Sequence, residues 1–284
     1  MNISRRCLHV EEWPQSDQAL WHAATRKGSI FDDTGPAALW RAPTRDRTRQ
    51  GYGRWLSYMI SSEQMHDEQL PHERITPDNV RQYVLCLQEQ VQPWTTWSYM
   101  LSLWVTARLF RPDDDWCWLY TILAKLQLKR RPASNKRARM QPAGEIARWA
   151  LRRLDALNQS PIQGAQDALA YRNTLMIAIL INCPIRLRNL SMIRIDKHLI
   201  FDGARYRLDF EPAEVKTDRY LSCTLPENLT PHLSQWLNHW RPRLMAASDH
   251  DAFWVGIRGA PMRPRGVYGC VISTTEAAFG VSIN

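Results

Sequence analysis

The chain has 284 residues, which is enough for two domains of ordinary size, each with its own hydrophobic core. Lysine and arginine outnumber aspartate and glutamate by 37 to 28, and the net charge of +9 favours a polyanionic partner, nucleic acid before a membrane surface. No window approaches the roughly 20 apolar residues that cross a bilayer, and residues 1–12 are too charged for a signal peptide, so we expect a cytoplasmic protein without membrane contact. The six cysteines show no paired short spacing, which argues against a zinc site or a disulfide framework.

The first half of the chain is predicted to be helical. Residues 1–15 are polar and are expected to be flexible. From there to residue 130, apolar residues spaced by three and four predict five helices, marked by Leu20, Trp55, Val84, Trp97 and Leu123. Nine of the thirteen tryptophans precede residue 119, so large aromatic side chains should fill much of the core of this domain.

Two basic clusters belong to this half. The first leads into the second predicted helix and includes Arg45, Arg47 and Arg49, while the second is an acid-free run up to residue 142. Proline, small polar residues and charge are typical of a linker, predicted at 131–142. A solvated hinge would show the same pattern, but a basic segment between two basic domains can also lie across DNA phosphates, and we prefer that interpretation. The second cluster contributes the candidate DNA contacts Lys129, Arg130, Arg131, Lys136, Arg137 and Arg139.

The second half combines helices with a hairpin pattern. An apolar helix, without a polar residue from Leu175 to Ile181, stops at Pro184 and is followed at once by Arg186 and Arg188. A charged guanidinium is costly beside a core unless an anion meets it. Alternating apolar residues around the turn signal 202–203 then predict antiparallel strands, and amphipathic helices follow at 230–241 and 264–279.

This order of elements resembles the catalytic domain of the tyrosine recombinases, the phage-integrase family. The family pattern Thr-Gly-Leu-Arg-Ile-Ser-Glu-Leu falls on Cys183-Pro184-Ile185-Arg186-Leu187-Arg188-Asn189-Leu190, and the hairpin lysine falls on Lys216. The resemblance implies a mainly α fold with a small antiparallel β-sheet. It divides the chain into a helical core-binding (SAM-like) domain at 16–130, the linker, and an incomplete α+β tyrosine-recombinase catalytic domain at 143–284. It also implies that Arg186 and Lys216 are catalytic, that no metal or ATP is used, and that the partner is double-stranded DNA bound by a homotetramer.

The chain departs from the family at several positions. Asn189 stands where the family has an acidic residue, and Arg188, a further candidate DNA contact, where it has a small or polar one. None of the eight histidines is followed three residues later by arginine, and Tyr268 precedes the place of the nucleophilic tyrosine. We therefore expect a recombinase or integrase chain truncated before these motifs, which binds duplex DNA without cleaving it and whose tetramer assembly is impaired.

Two other functions are considered. The chain could be a non-enzymatic DNA-binding regulator, or a decoy derived from an integrase. The acidic triplet Asp113-Asp114-Asp115 could instead belong to a metal-dependent nuclease, although three carboxylates at a helix start more often cap the helix and interact with its dipole.

Overall fold

The computed structural model describes residues 6–66, 69–129, 140–160, 164–245 and 249–282. Its contacts divide the chain into two compact units, Met1–Ser134 and Asn135–Asn284. Of the predicted linker, positions 131–139 lie outside the described residues.

The described part of the first unit is helical. Proline occupies the first turn of four of the helices, where its missing N–H costs nothing. Thr76 caps one of them, because its Oγ1 accepts a hydrogen bond of 3.3 Å from the Asn79 N–H. The helices are α1 (Gln15–Thr25), α2 (Ala42–Ser61), α3 (Pro71–Arg74), α4 (Pro77–Gln90), α5 (Pro93–Phe110) and α6 (Cys117–Leu128).

Helices α2 and α5 pack closely in the core of this unit. At Gly51 a Cβ atom would lie 2.2 Å from the Ser102 Cβ, so glycine allows the two backbones to approach. The three- and four-residue spacing predicts that Trp97 and Trp104 of α5 face inward, which is only partly right: both are half-buried, whereas Leu103 is fully buried. Because α5 is apolar on most sides, periodicity could not select the buried face.

A buried ion pair fixes the start of α1 to α3. The Arg74 Nη2 donates to the Asp17 Oδ2 at 2.6 Å, and the Tyr52 hydroxyl donates to the Asp17 Oδ1 at 2.6 Å. Burial raises the pKa of Tyr52 well above its usual value, with the Asp17 charge adding to the effect. The carboxylate is thus paired and hydrogen-bonded, as a buried charge requires.

Part of the N-terminal segment expected to be flexible is packed instead. The Leu8 N–H donates to the Gly53 carbonyl at 3.1 Å, and Val10 and Trp13 are buried. Trp13 contacts the Tyr52 ring edge-to-face. These two apolar side chains, set in a polar segment, supply the burial that orders it.

The second unit combines helices with a small sheet. The sheet is antiparallel with the order β1-β2-β3, and Leu208 lies opposite both Leu199 and Cys223. The predicted class, mainly α with a small antiparallel sheet, is confirmed. The elements are α7 (Ala143–Gln159), α8 (Ala165–Asn182), α9 (Leu187–Ser191), β1 (Leu199–Phe201), β2 (Tyr206–Phe210), β3 (Leu221–Thr224), α10 (Thr230–Gln235), which continues as a π-helical turn (Trp236–Trp240), and α11 (Pro264–Phe279).

Helix α8 lies in the core of this unit, as its apolar sequence predicts. Leu175, Met176 and Ile179 are fully buried. Buried tryptophans connect the surrounding segments, since the Trp254 Nε1–H donates to the Leu190 carbonyl at 2.8 Å and the Trp236 Nε1–H donates to the Phe253 carbonyl at 3.1 Å. Among the residues described, none of the helices has both the length and the apolarity needed to cross a bilayer.

Candidate functional site

Arg186 lies in the short turn between α8 and α9. Cys183 is driven out of the helical conformation because it precedes Pro184, and its φ and ψ are −133° and 93°. Ile185 is buried, whereas Arg186, the residue before α9, is exposed. The turn therefore anchors one side chain in the core and presents the next one, a permanent cation, to solvent.

Lys216 lies in the loop between β2 and β3. Glu211-Pro212 ends the pairing of β2, and a 3₁₀ turn, Pro212–Glu214, follows. Val215 is buried in the same core as Ile185, and Lys216 is exposed. The loop thus repeats the arrangement of the Arg186 turn, with a buried apolar residue directly before an exposed cation.

Two contacts hold the segments of Arg186 and Lys216 side by side. The Asn189 Nδ2 donates to the Glu214 carbonyl at 3.2 Å, and the Cys183 and Cys223 thiols lie close enough to interact. Burial, followed by this thiol contact, raises the pKa of Cys183 well above its usual value. Arg186 lies between Cys183 and Asn189 in sequence, and Lys216 lies between Glu214 and Cys223. The segment that carries Arg186 and the segment that carries Lys216 therefore contact each other on both sides of each cation.

The side chain of Glu214 anchors the loop from another direction. It forms a salt bridge with Lys197 and accepts from His198 Nε2 at 3.1 Å. Hydrogen bonds from Lys197 and then from His198 lower the pKa of Glu214 to about 2. The His198 Nδ1 accepts from the Arg194 N–H at 3.0 Å, which leaves the ring proton on Nε2, facing the carboxylate. The 3₁₀ turn before Lys216 is therefore held by contacts of both the backbone carbonyl and the side chain of Glu214.

The other predicted contacts are more scattered. Arg188 is exposed on α9, and Lys129 is exposed at the end of α6. The arginines of the first cluster lie within α2 rather than before it, and Arg49 is 3.8 Å from Asp46. On a helix, Arg45 and Arg49 share a face that Arg47 does not. The remaining candidates lie outside the described residues: Arg130, Arg131, Lys136, Arg137 and Arg139.

The acidic triplet acts at the start of α6. The Asp115 Oδ1 accepts from the Cys117 N–H at 2.8 Å, and Asp114 pairs with Arg111 at 3.3 Å. Asp115 thus satisfies an N–H of the first helical turn, as expected of a carboxylate at a helix start, whereas Asp114 pairs with an arginine that precedes the helix. In the part of the chain that the structure describes, there is no group of three or more His, Cys, Asp or Glu side chains that could hold a metal ion.

Sequence reasoning missed the residues that hold the two cations in place. In the sequence, Asn189 is distinctive only as a departure from the family pattern, and neither His198 nor Glu214 belongs to a recognisable motif. The sequence signal for Glu214 is weak, since it is only an acidic residue two positions before Lys216 in a basic hairpin. The distant groups that Glu214 contacts are determined by the folded sheet.

The two units have the fold of a solved site-specific recombinase, in agreement with the fold that the resemblance predicted. The structure is similar to that of the XerH site-specific recombinase bound to difH substrate in a pre-cleavage complex, with a TM-score of 0.52 and 14% sequence identity. That match covers 97% of this chain and 84% of the other. A post-cleavage complex of XerH with a palindromic difH substrate gives a TM-score of 0.53 and 14% identity, covering 95% and 82%. No protein-family model matches the chain, and no curated protein matches it in sequence.

Proposed function

We propose that this chain is a DNA-binding protein of the site-specific recombinase type, in which Arg186 and Lys216 face the same DNA phosphate. The observation that carries the proposal is the pair of contacts, Asn189 to Glu214 and Cys183 to Cys223, that joins the two exposed cations' segments. Independent surface charges would not require such a connection. The DNA complexes of XerH, which share the fold, support duplex DNA as the ligand.

The two cations suit complementary tasks at a phosphodiester. Displacement at phosphorus adds negative charge to the phosphoryl oxygens, and fixed cations can stabilise that charge. The planar guanidinium of Arg186 can donate two parallel hydrogen bonds to phosphate. The ammonium group of Lys216 can donate a proton to the departing 5′ oxygen.

Covalent chemistry needs a nucleophile in addition. We propose that residues 1–284 by themselves bind duplex DNA without cleaving it, because the sequence contains no His-x-x-Arg followed by a tyrosine. In an intact recombinase the tyrosine oxygen would store the broken bond as a 3′-phosphotyrosine. A regulator or decoy that occupies recombination sites would share the binding step and never form that link.

Further DNA contacts are proposed for the basic residues outside the joined segments. Arg188 on α9 and three arginines of α2 add to the electrostatic attraction, as do Lys129 and the basic run that follows it; the α2 residues are Arg45, Arg47 and Arg49. Assembly of several copies on DNA is proposed from the family resemblance.

Salt-dependent affinity tests the binding proposal. The logarithm of the association constant for duplex DNA should fall steeply with the logarithm of salt concentration, because each neutralised phosphate releases counterions. Arg186→Ala should lower the magnitude of the slope by about one, and Lys216→Ala should do the same. Arg152→Ala, which removes an exposed arginine of α7 outside the joined segments, is the matched control and should leave the slope almost unchanged. Salt-independent affinity, or equal effects of all three variants, would contradict the proposal.

A nicked suicide duplex tests the absence of cleavage. After incubation with the 284-residue chain, a denaturing gel should show free DNA and no covalent protein–DNA adduct. An adduct would show that the chain contains a nucleophile, and mapping the linked peptide would identify it.

A further inference from the structure

We infer that Asn189 is a positioning residue that fixes Lys216 relative to Arg186, an inference that rests on the proposed DNA-binding function. Asn189 is 2% exposed, and its Nδ2 donates to the Glu214 carbonyl at 3.2 Å. Asn189 lies three residues after Arg186, and Glu214 lies two residues before Lys216. The hydrogen bond therefore joins residues that neighbour the two cations in sequence.

The hydrogen bond links the two cations effectively, because only a short length of chain separates each of its two residues from one of the cations. Arg186 and Asn189 are separated by about one helical turn, roughly 5 Å along α9. Glu214 and Lys216 are separated by at most about 7 Å of chain. The hydrogen bond therefore holds the segments of Arg186 and Lys216 close to each other. The long side chains of these two residues then need little further conformational freedom to reach the same phosphate.

The chemistry of the contact requires an amide. The Glu214 carbonyl is an acceptor, and the amide nitrogen of asparagine can donate to it, whereas an ionised carboxylate can only accept. A carboxylate placed here would be almost fully buried with its oxygen against the carbonyl oxygen, and both groups would lose hydration without compensation. Asn189, at the position where the resembling family has an acidic residue, thus makes a connection that the acidic residue could not make.

The loop has a second anchor that remains when Asn189 is changed. Lys197 and His198 hold the Glu214 carboxylate, and Val215 is buried in the core. Loss of the Asn189 contact should therefore leave the unit folded, with Lys216 less precisely placed. This separates a positioning role from a purely structural one.

A double-mutant cycle in DNA affinity measures the coupling. Asn189→Ala should weaken affinity by roughly fivefold when Lys216 is present, the effect of one lost hydrogen bond, and by less than about twofold in the Lys216→Ala background. Asn189→Asp should weaken it further, while Asn189→Ser, which keeps a donor, should recover part of the affinity. Asn182→Ala is the matched control, because the Asn182 amide also donates to a carbonyl, Ala178 at 2.8 Å, but within its own helix.

A second measurement does not depend on DNA. Lysines are methylated with ¹³C, and the Lys216 resonance, assigned by its loss in Lys216→Ala, should shift in Asn189→Ala and stay in place in Asn182→Ala. An unchanged resonance, or equal losses of affinity in both Lys216 backgrounds, would overturn the inference. If the wild-type chain failed to bind DNA while the resonance still shifted, the proposed function would be wrong and the positioning role would stand.

Discussion

Replacing Glu214 with glutamine tests the anchor of the Lys216 loop through its pH dependence. Lys197 and then His198 lower the pKa of Glu214 from 4.5 to about 2 in the folded chain. At 1.36 kcal/mol per pKa unit, this corresponds to roughly 3 kcal/mol of stability. The side chain is 16% exposed, and solvent screening of its ion pair reduces the expected contribution to about 1–2 kcal/mol.

The direction of the pH effect follows from proton binding. Between about pH 2 and pH 4.5 the unfolded chain binds a proton at Glu214 that the folded chain does not, so acid favours unfolding in this window. The stabilisation is complete above the unfolded pKa and is lost as the pH falls towards 2. The difference in unfolding free energy between wild type and Glu214→Gln should therefore be about 1–2 kcal/mol at pH 7 and smaller at pH 3.

Urea unfolding at pH 7, 4 and 3 measures this difference, and hydrogen exchange of peptides from 197–224 shows whether the change is local to the hairpin. Glu211→Gln is the matched control, because Glu211 is an exposed carboxylate at the other end of the same 3₁₀ turn. A difference that does not change with pH, or one that Glu211→Gln reproduces, would refute the argument.

Two further predictions concern the helical unit. Asp17→Ala should destabilise this unit by about 3–5 kcal/mol, because it leaves the Arg74 guanidinium buried without its anion. Thermal unfolding followed by tryptophan fluorescence measures this loss of stability, and a change below about 1 kcal/mol would contradict the prediction. Gly51→Ala should cost about 1–3 kcal/mol, because its Cβ would meet the Ser102 Cβ at 2.2 Å and force α2 and α5 apart. Gly144→Ala, at a site where the nearest atom is 3.5 Å from the added Cβ, is the control for the latter and should be neutral or stabilising.

The sequence by itself determined the features that depend on neighbours along the chain. Pro184 sets the end of α8, because proline excludes the residue before it from the helix. The predicted last helix, 264–279, has the bounds observed for α11, and the Asp202-Gly203 turn joins β1 to β2 as its composition predicts. The order of these local elements supports the family resemblance, and that resemblance predicted the fold and selected Arg186 and Lys216 as candidates.

Only the tertiary structure decided which separated groups meet. Asn189 is 25 positions from Glu214, and Asp17 is 57 from Arg74. The same holds for the buried face of α5 and for Trp13, whose environment is supplied by residues elsewhere in the unit. Periodicity shows that a face is apolar and turn chemistry shows where an element stops. A hydrogen bond between buried polar groups is specific to a pair, and that pair exists only once packing has excluded water and brought both partners within about 3 Å.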